Sequence, residues 1–353
     1  MRKLLVGCLL AVFMFTGNEA LAQLDRNSVR KNNKRLMTYR GKKSNFSKEK
    51  RYFSLGLSVN ALNYYGDLAP NPGRFSTDIS FTRPAFGLSY SSRLGPRYSL
   101  TGSFMYGTLR GSDFTSADQK DAENGIFRYK RNLSFRNRIK ELSAVASYDL
   151  FENQATYMGR QKWVPYAFAG IALFHHNPQA LAPATDLSGQ PLPQAGEWVS
   201  LHKLGTEGQQ ATLEPTDANY GIKPYNLIQV AIPIGIGVRF KLHDVVDFSA
   251  EFGFRYLFTD YIDDVSRNYV DLGVFDSELA RALSYRGNEL TTSDIAREPV
   301  VARNGTTYSV INGYGHEHPT NIRGSKDNKD IFMVTTFRVS YIMGKTMHRA
   351  KFR

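Results

Sequence analysis

Phe248-Ser249-Ala250-Glu251-Phe252-Gly253-Phe254-Arg255-Tyr256-Leu257-Phe258-Thr259 is the stretch that decides the fold. Phe248, Ala250, Phe252, Phe254, Tyr256 and Phe258 take every second position, and Ser249, Glu251, Gly253 and Arg255 fill the gaps. A β-strand sends successive side chains to opposite faces, so this segment has one wholly apolar, aromatic face and one small or charged face. A helix would mix the two sets.

The same period runs outward in both directions. In 228–240, Ile232, Ile234, Ile236, Val238 and Phe240 alternate with Pro233, Gly235, Gly237 and Arg239. In 331–343, Met333, Phe337, Val339, Tyr341 and Met343 alternate with Val334, Thr336, Arg338 and Ser340. Toward the N-terminus the segments are 52–65 (Phe53, Leu55, Leu57, Val59, Ala61), 83–92 (Phe86, Leu88, Tyr90), 98–110 (Tyr98, Leu100, Phe104, Tyr106) and 139–151. In the last of these, Leu142, Ala144, Ala146, Tyr148 and Leu150 face away from Glu141, Ser143 and Ser147. Residues 163–174 are apolar on both faces, so alternation leaves their register open.

Eight such segments predict an all-β chain: an eight-stranded antiparallel transmembrane β-barrel. A soluble sandwich has the same period. The aromatic-rich apolar face and the even strand count favour the barrel. The connections favour it further. Their approximate spans are 66–82, 93–97, 111–138, 152–162, 175–224, 241–247 and 261–330, or 17, 5, 28, 11, 50, 7 and 70 residues. Long and short alternate strictly, as expected when short periplasmic turns and long outer loops sit on opposite sides of a membrane. The outer loops at about 175–224 and 261–330 are the longest.

Composition agrees. The 353 residues include 29 glycines, 20 tyrosines and 23 phenylalanines, which is not the usage of a helical bundle or a low-complexity chain. No run of about 20 apolar residues occurs, so a helical span is not expected. Arg2 and Lys3, the apolar stretch Leu4–Phe15 and the ending Ala20-Leu21-Ala22 read as a secretory signal over 1–22, cut before Gln23. Leu5-Val6-Gly7-Cys8 resembles a lipoprotein box, but processing there would discard half of the apolar stretch. The exported chain then has no cysteine, which excludes disulfides, thiol catalysis and cysteine-held metals.

The net charge of +13 sits at the ends. Residues 23–51 carry 11 basic and 2 acidic side chains, or +9; residues 345–353 add +4, the signal adds +1, and 52–344 carry about −1. The body is neutral. The basic segment 23–51 and the basic tail 345–353 fall on the periplasmic side. Arg26, Arg30, Lys31, Lys34, Arg35, Lys42 and Lys43 are candidate contacts to anionic headgroups or an acidic periplasmic partner, through an attraction that salt would weaken. An exported protein rarely meets nucleic acid, and a solvated tail needs no partner at all.

Candidate chemistry is sparse. Alternation aims Glu141, Arg239, Glu251, Arg255 and Arg338 into the lumen. The interior of an eight-stranded barrel is just wide enough for side chains to fill, so these five predict an ion-pair network that plugs it, with Glu251 expected to serve Arg255. A gated path is the sharper alternative. His175-His176 and His316-Glu317-His318 offer imidazoles for zinc, and Asp260, Asp263 and Asp264 offer carboxylates for calcium. Solvated loop histidines and strand-end capping aspartates explain the same residues, so no metal or other cofactor is expected. No nucleophile elbow or phosphate loop occurs, and no catalytic residue is assigned.

Two stretches carry a resemblance. Asn63-Tyr64-Tyr65-Gly66-Asp67-Leu68 resembles the Tyr-x-Gly-Asp signature of PorG-type outer-membrane barrels. Glu251 to Ser266, with Thr259-Asp260-Tyr261-Ile262-Asp263-Asp264 at its end, is similar to the penultimate strand and following loop of the same family. The resemblance spans the barrel strands, about half of the chain. It implies a small eight-stranded barrel in outer membranes of the Bacteroidota type, associated in its best-understood members with type IX secretion and a periplasmic lipoprotein ring. The 50- and 70-residue loops and the basic N-terminal segment depart from the short members.

The expected protein is a non-enzymatic outer-membrane scaffold. Its partners are expected to be membrane lipids, periplasmic secretion-complex subunits and, through the long loops, other envelope proteins. A small porin or solute-binding barrel is the second expectation.

Overall fold

The computed structural model describes residues 46, 50–69, 79–290, 295–326 and 329–343. The signal 1–22, the candidate contacts from Arg26 to Lys43 and the tail 345–353 lie outside the described residues. Eight strands form the barrel: β1 Phe53–Tyr65, β2 Arg83–Arg93, β3 Tyr98–Ser112, β4 Ser134–Asp149, β5 Trp163–His175, β8 Ile228–His243, β9 Val246–Leu257 and β12 Ile331–Met343. Each pairs antiparallel with its chain neighbour in that series, and β12 pairs with β1 to close the sheet. Closure leaves the barrel no free edge.

All eight predicted segments are strands. Several boundaries move, two of them at informative places. β4 begins at Ser134 rather than 139, because Ser134 to Arg138 pair with Thr108 to Ser112 and carry both strands beyond the wall. β8 and β9 meet in a turn at 244–245 after a register shift at Lys241 and His243. In β5, Val164, Tyr166, Phe168, Ala172 and Phe174 are buried while Trp163, Ile171 and Leu173 are exposed, which settles the register that alternation left open.

The outer wall is apolar. Phe53, Leu55, Leu57, Val59, Phe86, Leu88, Phe104, Leu142, Ile234, Ile236, Phe252, Phe337 and Val339 are exposed large hydrophobics on one face of their strands. A soluble protein does not leave so continuous an apolar surface in water; a bilayer covers it. At the short-turn end aromatic rings pair: Phe53 stacks on Tyr90 at 5.5 Å, Tyr98 meets Tyr148 at 5.4 Å and Phe151 meets Trp163 at 5.2 Å. Such rings belong at the headgroup level. The molecule is an outer-membrane β-barrel.

The long connections are folded. β6 Pro178–Leu181 and β7 Trp198–Ser200 prolong the sheet past β4, and β10 Arg297–Val301 and β11 Thr307–Ile311 form a separate hairpin. A core of Tyr269, Leu272, Tyr285, Tyr308, Val310 and Ile311, and another of Ala180, Leu192, Leu201, Leu279 and Leu283, lie outside the barrel wall. The loops make a cap with its own apolar interior.

Candidate functional site

From the short-turn end upward, the lumen changes character. The inward positions of β1 read Ser54, Gly56, Ser58, Asn60, then Leu62 and Tyr64. The lower half is polar and lined by serines. It holds two cavities of about 40 Å³ each, one bordered by Ser54, Ser91 and Arg239, the other by Asn60, Ser103 and Arg255. Each has room for a few water molecules. Glu251 and Arg338 line both.

Of the five lumen residues, Glu251 pairs with Arg338 and Glu141 with Arg255, while Arg239 takes a partner outside the five. Arg338 clasps Glu251 through two hydrogen bonds of 2.8 and 3.0 Å, and Tyr166 donates to the same carboxylate at 2.6 Å. Arg255 donates its Nε to both oxygens of Glu141 at 3.1 Å. The expectation that Glu251 serves Arg255 is therefore corrected. Arg239 reaches Asp149 at 3.3 Å and lies 4.9 Å over the Tyr166 ring. Asp149 also pairs with buried Arg93, and Arg160 pairs with Asp247 at 2.7 Å. These four partners were missed, although the period that placed Glu141 inward continues to Asp149.

Above the pairs the lumen is apolar. Leu62, Ala85, Leu109, Phe135, Ile139, Phe174, Leu257, Phe332 and Val334 are contributed by seven strands and form one buried cluster. Phe174 and Phe332 meet edge to face at 6.3 Å, and Tyr64 meets Phe135 at 4.9 Å. Asn137, buried between Phe135 and Ile139 on the same face of β4, is a polar exception: it donates to the Ile262 carbonyl at 2.6 Å and accepts from Asn177 N–H at 2.9 Å, so both ends of its amide are engaged.

The motif residues close the mouth above it. Tyr64 donates its hydroxyl to Asp263 at 2.5 Å, and the same oxygen lies 3.0 Å from Asp330. A phenol has one proton, so it is shared between the two carboxylates. Burial and the neighbouring Asp263 push the Asp330 carboxyl well above the usual range, and burial followed by Asp67 does the same for Asp263. Backbone donors fix both: Ile262 N–H to Asp330 at 2.9 Å and Val265 N–H to Asp263 at 3.0 Å. Gly66 is required here, because a Cβ would stand 2.1 Å from both the Tyr64 hydroxyl and Asp330. Tyr65 points the other way, toward Phe254 at 6.4 Å.

Asp67 accepts from Ser325 N–H at 2.8 Å, and burial raises its carboxyl to about 6. Asp260 accepts from Ser266 at 2.7 Å and is raised by burial to about 8. Asp264, at φ +69°, accepts from Thr206 and from Tyr225 at 2.6 Å, and burial raises it to about 6. Thr259 accepts from Tyr261 N–H at 3.2 Å, and Tyr261 stacks on Tyr225 at 4.7 Å. The aspartates thus answer to different donors. Among the described residues no three His, Cys, Asp or Glu side chains converge as a metal site.

Two arginines bind the loops to this mouth. Arg131 makes a double hydrogen bond to fully buried Asp113 at 2.8 and 2.9 Å, and donates to the Asp67 and Arg323 carbonyls at 2.7 and 2.8 Å. Arg323 donates to Glu207 at 3.0 Å and to the Asp264 carbonyl at 2.6 Å. Glu207 also accepts from Ser266 N–H and Arg267 N–H at 2.8 and 3.1 Å. Four outer loops meet in this knot. Asp113, Arg131, Glu207, Arg323 and Asp330 carry no local pattern that would single them out in the sequence.

The histidines stay apart. His176 is buried, faces Tyr225 at 5.8 Å, hydrogen-bonds the Asn226 carbonyl at 3.1 Å, and is lowered by burial to about 4. His318 meets Thr320 at 2.7 Å, His316 lies 3.7 Å from Glu298, and Glu317 accepts from Ala218 N–H.

The barrel is similar to the attachment invasion locus protein Ail of Yersinia pestis, at 8% identity and TM-score 0.33 over 83% of this chain and 99% of that one. It is similar to Neisserial surface protein A at 9% identity and TM-score 0.33, over 82% and 96%. A major outer membrane protein from Thermus thermophilus aligns at 10% identity and TM-score 0.34, over 82% and 99%. No curated protein matches the sequence. Residues 42–189 match the family described as Domain of unknown function (DUF6089).

Proposed function

We propose that this chain is a non-enzymatic outer-membrane scaffold that anchors a protein-secretion complex of the type IX kind. One observation carries the reading: the lumen is filled at three levels, by ion pairs, by an apolar layer and by the charged mouth, while the outer loops fold into a cap. A barrel built this way offers surfaces rather than a passage. The cap is the docking face for other envelope proteins. The basic segment 23–51, with Arg26, Arg30, Lys31, Lys34, Arg35, Lys42 and Lys43, is the proposed contact to a periplasmic lipoprotein ring or another secretion subunit. The resemblance of Tyr64–Asp67 and Thr259–Asp264 to the PorG-type motifs supports the same assignment.

The test is recovery of partners by a C-terminally tagged copy from native membranes in mild detergent. Stoichiometric recovery of periplasmic secretion subunits, reduced by deletion of 23–51 and by salt, is the expected result. A folded barrel recovered alone would contradict the proposal and shift weight to a solute-binding barrel.

A further inference from the structure

The outer faces of β3, β4 and β5 carry a basic patch just beyond the apolar wall. In the β3–β4 register Phe104 stands opposite Leu142, then Tyr106 opposite Lys140, Thr108 opposite Arg138 and Arg110 opposite Arg136. Lys140 in turn stands opposite His175 of β5. Alternate residues on one face are about 6.8 Å apart along a strand, so Lys140, Arg138 and Arg136 climb in steps from the last lipid-facing leucine. Arg110, Arg138 and Lys140 are exposed and Arg136 is half-buried.

Among the described residues the charges face no acid. Neither β3 nor β5 contains Asp or Glu, and the two acids of β4, Glu141 and Asp149, turn inward to Arg255 and Arg93. Among the described residues, Arg110, Arg136, Arg138 and Lys140 have no carboxylate within ion-pair distance. Like charges directly opposite across a strand pair are unfavourable, and Arg110 faces Arg136. Yet Arg136 is held in place, its guanidinium 3.8 Å over Trp198 and its Nε donating to Gln179 at 3.1 Å.

The patch is one-sided. At the same level on the rest of the barrel, the outward positions are Ile228, Val230, Tyr256, Phe258, Met333, Tyr65 and Pro84. Long cationic side chains that merely reach for the interface would ring the barrel; these occupy one sector.

We infer that Arg110, Arg136, Arg138 and Lys140 form a binding site for the phosphate of an outer-leaflet lipid, whose acyl chains lie on Phe104, Leu142 and Leu173. An arginine fork and a lysine suit phosphate oxygens, and the anion relieves the Arg110–Arg136 repulsion. Continuity with the apolar wall commits the site to a lipid rather than a soluble anion. This inference is independent of the scaffold reading.

The test uses the full chain, folded in phosphatidylcholine nanodiscs containing either phosphorylated lipid A or the same lipid after phosphatase treatment. Lipid retained after detergent extraction is then counted by native mass spectrometry. The wild type should keep about one phosphorylated lipid and lose the dephosphorylated one. Combined Arg110→Gln, Arg138→Gln and Lys140→Gln should weaken retention about a hundredfold, from roughly fivefold per charge near an anionic surface. Lys120→Gln, Lys203→Gln and Lys223→Gln in the cap remove equal charge and should change nothing. Heat-modifiable migration checks that each variant is folded, and Arg138→Gln alone, with a fivefold loss, replaces the triple variant if that one fails to fold. Equal retention of both lipids, or of lipid by both sets of variants, overturns the site. Binding of a heparin oligosaccharide that competes with lipid A and needs the same residues overturns the lipid assignment in favour of a soluble polyanion.

Discussion

The two halves of the lumen solve the same problem differently. Near the short turns, charged side chains pair beside small polar cavities with room for water: Glu251 with Arg338, Glu141 with Arg255. At the outer end, an apolar layer lies beneath a knot whose carboxylates are raised by burial or held by Arg131, Arg323 and backbone N–H groups. A charge in a hydrated lumen keeps part of its solvation when its partner is removed. A charge in the mouth does not. The same kind of lesion should therefore be mild below and severe above.

Removing Arg131 gives the largest effect. Asp113 has no exposure and keeps Arg128 at 3.2 Å, but it loses the double hydrogen bond from Arg131, at about 1.5–3 kcal/mol for each charge-assisted bond. Arg131→Met should make the cap sensitive to protease while the barrel keeps its heat-modifiable migration. Removing Arg338 should do less. Arg338→Gln breaks two charge-assisted bonds beside the cavities, worth about 1.5–3 kcal/mol before water replaces them, read as a shift in urea midpoint in lipid vesicles. If Arg338→Gln proved the more damaging, the contrast between the halves would be wrong.

Gly66→Ala is next, because its methyl group overlaps Tyr64 and Asp330; overpacking of this kind costs about 1–3 kcal/mol. Gly95→Ala, in a turn at the other end where the nearest atom to a Cβ is 3.4 Å away, is the contrasting change and should be close to neutral.

The smallest effect is on pH dependence, and its sign is fixed. A carboxyl raised on folding contributes stability below its unfolded pKa of about 3.9, and that contribution is lost as pH rises through the folded value. For Asp67 and Asp264 the loss runs to about 6, and for Asp260 to about 8. His176, lowered to about 4, acts oppositely: its contribution is complete above about 6.5 and is lost as pH falls toward 4. From pH 6.5 to 8.5 the carboxyls act alone, so the midpoint of cap unfolding should fall. Asp260→Asn should flatten that slope; an unchanged slope would assign it elsewhere.

The same contrast explains how much the sequence disclosed. In the lower half, apolar-out and polar-in positions differ on every strand but β5, so period two marked the other seven, including Phe248–Phe258. In the upper half the inward positions become apolar too. Phe135 and Ile139 face the lumen, so β4 looked like loop before 139; in β5 the inward Val164, Tyr166 and Phe168 are apolar even in the lower half, which left no readable register. The motif residues Tyr64, Gly66, Asp67 and Asp263 were visible only through resemblance. Their partners Arg131 and Asp330 come from distant loops, and nothing local in a chain records contacts separated by 64 to 266 residues.

The most direct test of a sealed lumen is conductance across a planar bilayer by folded protein carrying Glu251→Gln and Arg338→Gln. These changes remove the ion pair that divides the two cavities and leave Leu62, Ile139, Phe174, Leu257 and Phe332 in place. A silent bilayer is expected, because the apolar layer still fills the barrel. Stable unitary steps would contradict the account and make the barrel a gated channel.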